Sequence, residues 1–256
     1  MRKQKYKSPI KTKPLRRPGQ SLATININLI LDNIYYYLFL AIMFSCFAFF
    51  ERLHWFQIMP ITPWFYTILA LVSIGLFIFK YMKISKVIQR NKQGLDGERE
   101  VGELLEKLRI NGYEVFHDIV FVGFNVDHVV VCKKGIFCIE TKTYSKPAKG
   151  ETKLTFDGET LTVNGFRSKA PIIQVKAASK STQELVEQTS GKKCYVRPVL
   201  LFPGWFVDSK NKINENDIWA LHPKGFSVFV SNSQDCLSED DVNLIANHLA
   251  NYIRSL

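Results

Sequence analysis

The stretch Asp127-His-Val-Val-Val-Cys-Lys-Lys-Gly-Ile-Phe-Cys-Ile-Glu140-Thr-Lys142 decides how this chain is read. Two apolar runs flank Lys133-Lys134-Gly135, the pattern of a tight β-hairpin. Side chains alternate along a strand, so Ile136, Cys138, Glu140 and Lys142 share one face. Two charges at the end of an otherwise apolar strand cost free energy unless they bind something. A two-residue turn pairs Cys132 with Gly135 and sets Asp127 across from Glu140. Two carboxylates and an ammonium then meet on one patch, a donor set suited to a divalent metal and to phosphodiester hydrolysis. A three-residue turn with Gly135 in the left-handed region instead sets Asp127 across from Thr141, on the opposite face. Spacing leaves both registers open, and an exposed hairpin end carrying a Glu/Lys pair is the plain structural reading.

Working outward, the 256 residues and 46% hydrophobic content suffice for one sizeable domain plus further elements. The five cysteines (46, 132, 138, 194, 236) are odd in number and lack a Cys-x-x-Cys spacing. This argues against a disulfide scaffold or zinc cluster and for a reducing compartment. The net charge of +11 is unevenly spread: residues 1–92 hold 14 Lys/Arg and 2 Asp/Glu, residues 93–256 hold 20 and 21. The basic excess therefore belongs to the N-terminal part and reads as membrane topology rather than as nucleic-acid affinity. Residues 133–180 still carry 10 Lys/Arg against 4 Asp/Glu. Such a rim around Glu140 suits a phosphate backbone, or is an ordinary solvated face.

Residues 1–20 hold eight Lys/Arg, three Pro and no acid, and read as a disordered tail. The uncharged runs Asn33–Phe50 and Ile61–Phe79 are each long enough to span a bilayer. Tyr35, Tyr36, Tyr37, Trp55, Trp64 and Tyr66 cluster near their ends as interface aromatics do. The connector from Glu51 to Pro60 carries only Glu51 and Arg52, whereas Lys80, Lys83, Lys86, Arg90 and Lys92 follow the second run. The positive-inside rule then puts both termini in the cytosol. The expected division is a basic cytosolic tail at 1–32, a two-helix transmembrane hairpin at 33–82, a linker at 83–93 and a soluble domain at 94–256.

From Gly94 the pattern is that of an α/β domain. A helix is expected from about Asp96 to Arg109, with Val101, Leu104, Leu105 and Leu108 at helical spacing. Strands are expected at 113–122, 127–132 and 135–142, a small hairpin at 153–163, a helix at 171–189, and a strand at 195–202 in which Pro198 marks an edge or bulge. Short strands are expected near 217–221 and 226–230. A final helix begins at 239, with Ser238 and Asp241 as a capping box. Glu98 shares the buried stripe with Val101, as a helix-start charge or a carboxylate facing a metal. Gln174 shares a line with Ala178 and Leu185 and leans inward. His128 points away from Asp127 and is read as packing; His117, His222 and His248 have no metal-cluster spacing.

Gly94-Leu-Asp-Gly97-Glu98, Val126-Asp127-His128-Val-Val-Val, Gly135-Ile-Phe-Cys-Ile-Glu140-Thr141-Lys142 and Pro171-Ile-Ile-Gln174, in this order, resemble the nuclease-related domain (NERD) family, a branch of the PD-(D/E)xK nuclease superfamily. The likeness is strongest over residues 94–202. It implies a restriction-endonuclease-like α/β fold, an αβββαβ core with a mixed sheet flanked by helices, preceded here by two transmembrane helices. It also implies Glu98, Asp127, Glu140 and Lys142 as the active-site set, with Gln174 in support. Asp127, Glu140 and the Thr141 carbonyl would hold Mg²⁺ or Mn²⁺. Asn125 departs from a frequent acidic residue, and Thr143 from a frequent Asn. The function expected is metal-dependent hydrolysis of nucleic acid, DNA first, by a protein of the bacterial-type inner (cytoplasmic) membrane. The competing class is a non-catalytic, membrane-tethered module that uses the same fold to bind nucleic acid or protein.

Overall fold

A computed structural model describes residues 15–52, 65–146, 152–209 and 218–255. The chain divides into two compact units, one holding Ser21–Gln93, the other Gly94–Leu256 with the N-terminal segment up to Gln20.

In the first unit, α1 (Gln20–Ile30) passes through a π-helical turn (Leu31–Tyr35) into α2 (Tyr36–Arg52). Helix α3 (Phe65–Glu106) runs 42 residues without a break, and its last third belongs to the second unit. Two helices are long and apolar enough to cross a membrane, one over Gln20–Phe50 and one starting at Phe65. They lie side by side and antiparallel. Asn91 donates to Asn26 Oδ1 at 2.9 Å, Lys80 Nζ sits 5.4 Å from the centre of the Tyr37 ring, and the Phe47 and Tyr66 rings are 5.6 Å apart. Their outer faces leave Phe39, Phe49, Leu71 and Phe79 exposed, an apolar surface that water solvates poorly.

Three expectations change here. Residues 20–32 are helical rather than tail, because no Gly or Pro follows Gly19 and Leu22, Ile25, Ile27, Leu29 and Ile30 continue the apolar pattern. Residues 83–93, expected as a linker, are part of α3, whose helix passes through Gly94 and Gly97. Residues 15–20 pack on the α/β unit through side-chain contacts described below. Trp55, Trp64, residues 1–14 of the basic tail and residues 53–60 of the connector lie outside the described residues.

The second unit is mixed α/β. A five-stranded sheet has the order β1 (Glu114–Phe121), β2 (Phe124–Cys132), β3 (Gly135–Thr141), β7 (Val196–Leu201), β9 (Trp219–Leu221). The first three strands run antiparallel, and β7 and β9 join parallel. Taken with α3 before β1 and α4 (Ala170–Ser190) before β7, the order is αβββαβ. Between β3 and α4, the strands β4 (Lys153–Phe156), β5 (Leu161–Val163) and β6 (Phe166–Ser168) form a second sheet completed by β8 (Phe206–Ser209). One face of the large sheet packs Val129, Val131, Ile136 and Cys138 against α4 and α6 (Glu239–Ser255). The other packs Val130, Phe137 and Ile139 with Val101 and Leu105 of α3 and with Phe226 and Val230 of α5 (Phe226–Ser231).

Pro198 sits where β7 has β3 as a partner but β9 has not yet joined, so its missing N–H costs no ladder bond there. The expected strand at 226–230 is instead α5. Phe226-Ser-Val-Phe-Val has the aromatic and β-branched residues of a strand, but it follows the 3₁₀ turn Pro223–Gly225, which delivers the chain already helical. The capping box is reciprocal: Ser238 Oγ accepts from the Asp241 amide at 3.1 Å and donates to Asp241 Oδ2 at 2.8 Å.

Candidate active site

The hairpin turn is the two-residue form. Cys132 pairs with Gly135, whose φ of +127° a side chain would resist, and the register runs through His128 opposite Ile139. One step further, Asp127 faces the Glu140 position. Its Oδ2 accepts the Thr141 amide at 2.8 Å. The Lys142 amide donates to the Leu201 carbonyl at 2.9 Å, tying the strand end to β7.

Around Glu140 the side chains close a triangle. Lys142 Nζ lies 2.7 Å from Glu140 Oε1 and 2.8 Å from Gln174 Oε1, and Gln174 Nε2 donates to Glu140 Oε1 at 2.6 Å. Gln174 reaches in from an exposed position on α4, so its amide serves two charged side chains rather than buried backbone. Asp127 and Glu140 are 7% and 4% exposed. Glu140 Oε2 and Thr141 Oγ1 are buried without a hydrogen-bond partner. A buried carboxylate oxygen left unpaired is costly, and it is what a cation would satisfy.

Glu98 approaches from α3. It stands far inside that helix, not at its start, so no helix-terminal dipole acts on it. Gly97 makes the approach possible, because a Cβ there would lie 2.0 Å from Thr143 Cγ2. Burial, then the negative charges of Asp118 and Glu140, push the Glu98 carboxyl up to about 7, with Lys142 opposing. Asp127 is raised well above the usual range by burial and by Glu140 and Glu98, against the Thr141 N–H and Lys142. Glu140 is raised by burial and restrained by Lys142. All five sequence-predicted side chains thus converge, and the Thr141 backbone lies between Glu140 and Lys142.

Asp118 was not foreseen. It is 0% exposed, holds φ at +50° inside β1, and occupies the register position across from Asp127. Its Oδ1 accepts from Asn125 Nδ2 at 2.9 Å, and its Oδ2 accepts from Arg16 Nε at 2.8 Å and Nη2 at 2.5 Å. No spacing rule singles out one acid in an apolar strand. Its signal would have been that an Asp there breaks the inward apolar pattern between Phe116 and Val120. Among the described residues, no group of three or more His, Cys, Asp or Glu side chains is arranged to hold a metal. The donor set available is two carboxylates and main-chain oxygen, which suits a hard cation with water completing its shell.

The mixed αβββαβ domain places an acid–acid–lysine cluster at the end of its third strand. Residues 93–203 match the family model of the nuclease-related domain, NERD, and the chain carries that domain over those residues. No curated protein and no solved structure matches the chain.

Proposed function

We propose that the protein is a membrane-anchored, metal-dependent nuclease that hydrolyses phosphodiester bonds of nucleic acid, DNA first. The observation carrying this reading is the buried Asp127–Glu140 pair, with an unpartnered Glu140 Oε2, beside Lys142. Asp127, Glu140 and the Thr141 carbonyl would hold Mg²⁺ or Mn²⁺. Such an ion lowers the pKa of a water and neutralises charge on a scissile phosphate.

The chain's own groups do the rest. Lys142 Nζ positions the attacking water and offsets charge developing on the phosphate oxygens. Gln174 bonds both Lys142 and Glu140 and fixes the ammonium's direction. Glu98, with a carboxyl near neutrality, can hold or release a proton beside them. The two apolar helices would anchor the domain to the inner membrane, with both termini and the nuclease-like domain on the cytosolic side.

The test is cleavage of single- and double-stranded DNA and of RNA by the full chain in detergent micelles, with Mg²⁺ or Mn²⁺ and with chelator. Metal-dependent cutting lost in Asp127→Asn supports the reading. Binding without cutting by the wild type would make the domain a recognition module.

A further inference from the structure

The segment before α1 packs on the α/β unit at three points, one of them beside Glu98. Leu15 packs against the core on the α4/α6 face of the sheet. Arg16 pairs with Asp118. Pro18 and Gly19 lie on α3, which covers the opposite face. A Cβ on Gly102 would meet Pro18 Cγ at 2.4 Å, and one on Gly19 would meet Leu95 Cδ1 at 2.2 Å and Glu98 Oε2 at 3.3 Å. The segment therefore crosses the end of the sheet from one face to the other.

Two glycines make the crossing possible. Gly102 leaves room on α3 for Pro18. Gly19 takes a left-handed φ of +68°, which turns the chain into α1 at Gln20. Arg16 is spent on a carboxylate that is fully buried and held at a backbone angle unusual for Asp. Strain of this kind gathers at functional sites. Removing the guanidinium would strip a buried carboxylate beside Glu98 of a charged partner.

We propose that residues 15–20 are a latch, with Arg16 as a positioning residue acting through Asp118. The latch holds the Glu98 turn of α3 against the end of the sheet. Its effect on catalysis rests on the nuclease reading; its docking does not. With the latch docked, the acid cluster is compensated and Glu98 is held. With the latch released, Asp118 loses the Arg16 guanidinium and the α3 turn loosens. A fragment beginning at residue 93 lacks the latch altogether.

The test uses the full chain in micelles, as wild type, Gly102→Ala and Asp118→Asn. Gly102→Ala expels Pro18 while favouring the helix; Asp118→Asn removes the carboxylate that Arg16 bonds and leaves no buried acid behind. Trypsin cleavage after Arg16, followed by mass spectrometry, reads docking. Hydrogen exchange over residues 95–102 and 141–143 reads the site. The latch predicts a protected Arg16–Arg17 bond in the wild type, cut about tenfold faster in both variants, with faster exchange in both windows. Cleavage of nucleic acid should fall in parallel. Equal trypsin rates in all three proteins would overturn the latch. Faster trypsin cutting with unchanged exchange would overturn its hold on the site. A wild type that protects Arg16 and cuts no nucleic acid would sink the nuclease reading and leave the latch standing.

Discussion

Asp127 and His128 are neighbours on one strand, and each sits in a buried polar cluster on its own face of the sheet. On the α3 face, His128 Nδ1 meets His117 Nδ1 at 2.8 Å, and His117 Nε2 meets Glu106 Oε1 at 2.7 Å. Burial holds both imidazoles below their ordinary pKa, so they stay neutral, and the chain of bonds ends at the half-exposed Glu106. On the other face, burial raises Asp127, Glu140 and Glu98, and repulsion by neighbouring carboxylates adds to it for Asp127 and Glu98. Both clusters contain an unpartnered atom, His128 Nε2 in one and Glu140 Oε2 in the other. The difference is charge. A neutral ring nitrogen among apolar neighbours is a modest local cost, whereas packed carboxylates need a cation to be stable. The first cluster is neutral and closes on itself, and the second gathers acids around one ammonium.

The sharpest way to break this contrast is to neutralise one acid. Glu140→Gln should lower metal-dependent cleavage by about 10²–10⁴-fold, the range for losing a preorganised charge in a dry site. In chelator the same variant should melt no lower than the wild type, because a buried charge has gone. A parallel loss of melting temperature would make Glu140 structural.

Next in size is the histidine pair. His128→Leu leaves His117 Nδ1 without its partner and should cost about 1–3 kcal/mol in chemical denaturation. Cleavage per folded molecule should stay near the wild-type value. A large activity loss at unchanged stability would place the pair in the chemistry.

The acidity of Glu98 separates the clusters by pH. Below about 4.5 its carboxyl is protonated in both folded and unfolded protein, so it contributes no difference. Between 4.5 and about 7 the unfolded chain ionises while the folded protein stays protonated, so stability falls as pH rises. The full penalty, up to about 3 kcal/mol before solvent screening, is present above pH 7. The histidines act in the other direction. Their depressed pKa makes stability fall as pH drops through 6.5. Melting curves in chelator should therefore show Glu98→Gln gaining on the wild type as pH rises from 5 to 8, and Mg²⁺ should narrow the gap. A constant difference across that range would contradict the assignment.

The smallest effect expected is at Ser238, away from both clusters. Ser238→Ala removes one half of the α6 capping box and should cost about 1 kcal/mol with cleavage unchanged.

The hairpin was readable from the two apolar runs around Lys133-Lys134-Gly135, but its register was not: spacing allowed a two- or a three-residue turn, and the structure takes the first, pairing Cys132 with Gly135. That register brought Asp127, Glu140 and Lys142 together. The continuity of α3 was harder to read. Gly94 marks the expected domain boundary, yet the helix runs through it, and Gly97 serves a close approach to Thr143 inside that unbroken helix. Arg16 and Asp118 lie 102 residues apart in sequence, and no local pattern links them. Likewise α5 has a strand's residue types and a helix's backbone, set by the turn before it.

The central claim is that the charged end of β3 cuts phosphodiester bonds with Lys142 as its ammonium. The direct measurement compares full-chain wild type and Lys142→Ala, in micelles with Mn²⁺, for both cleavage and binding of the same labelled DNA. The account predicts loss of cleavage with DNA affinity and melting temperature largely kept, since Lys142 stands at the rim of the cluster and not in the core. Equal cleavage by the two proteins would contradict it.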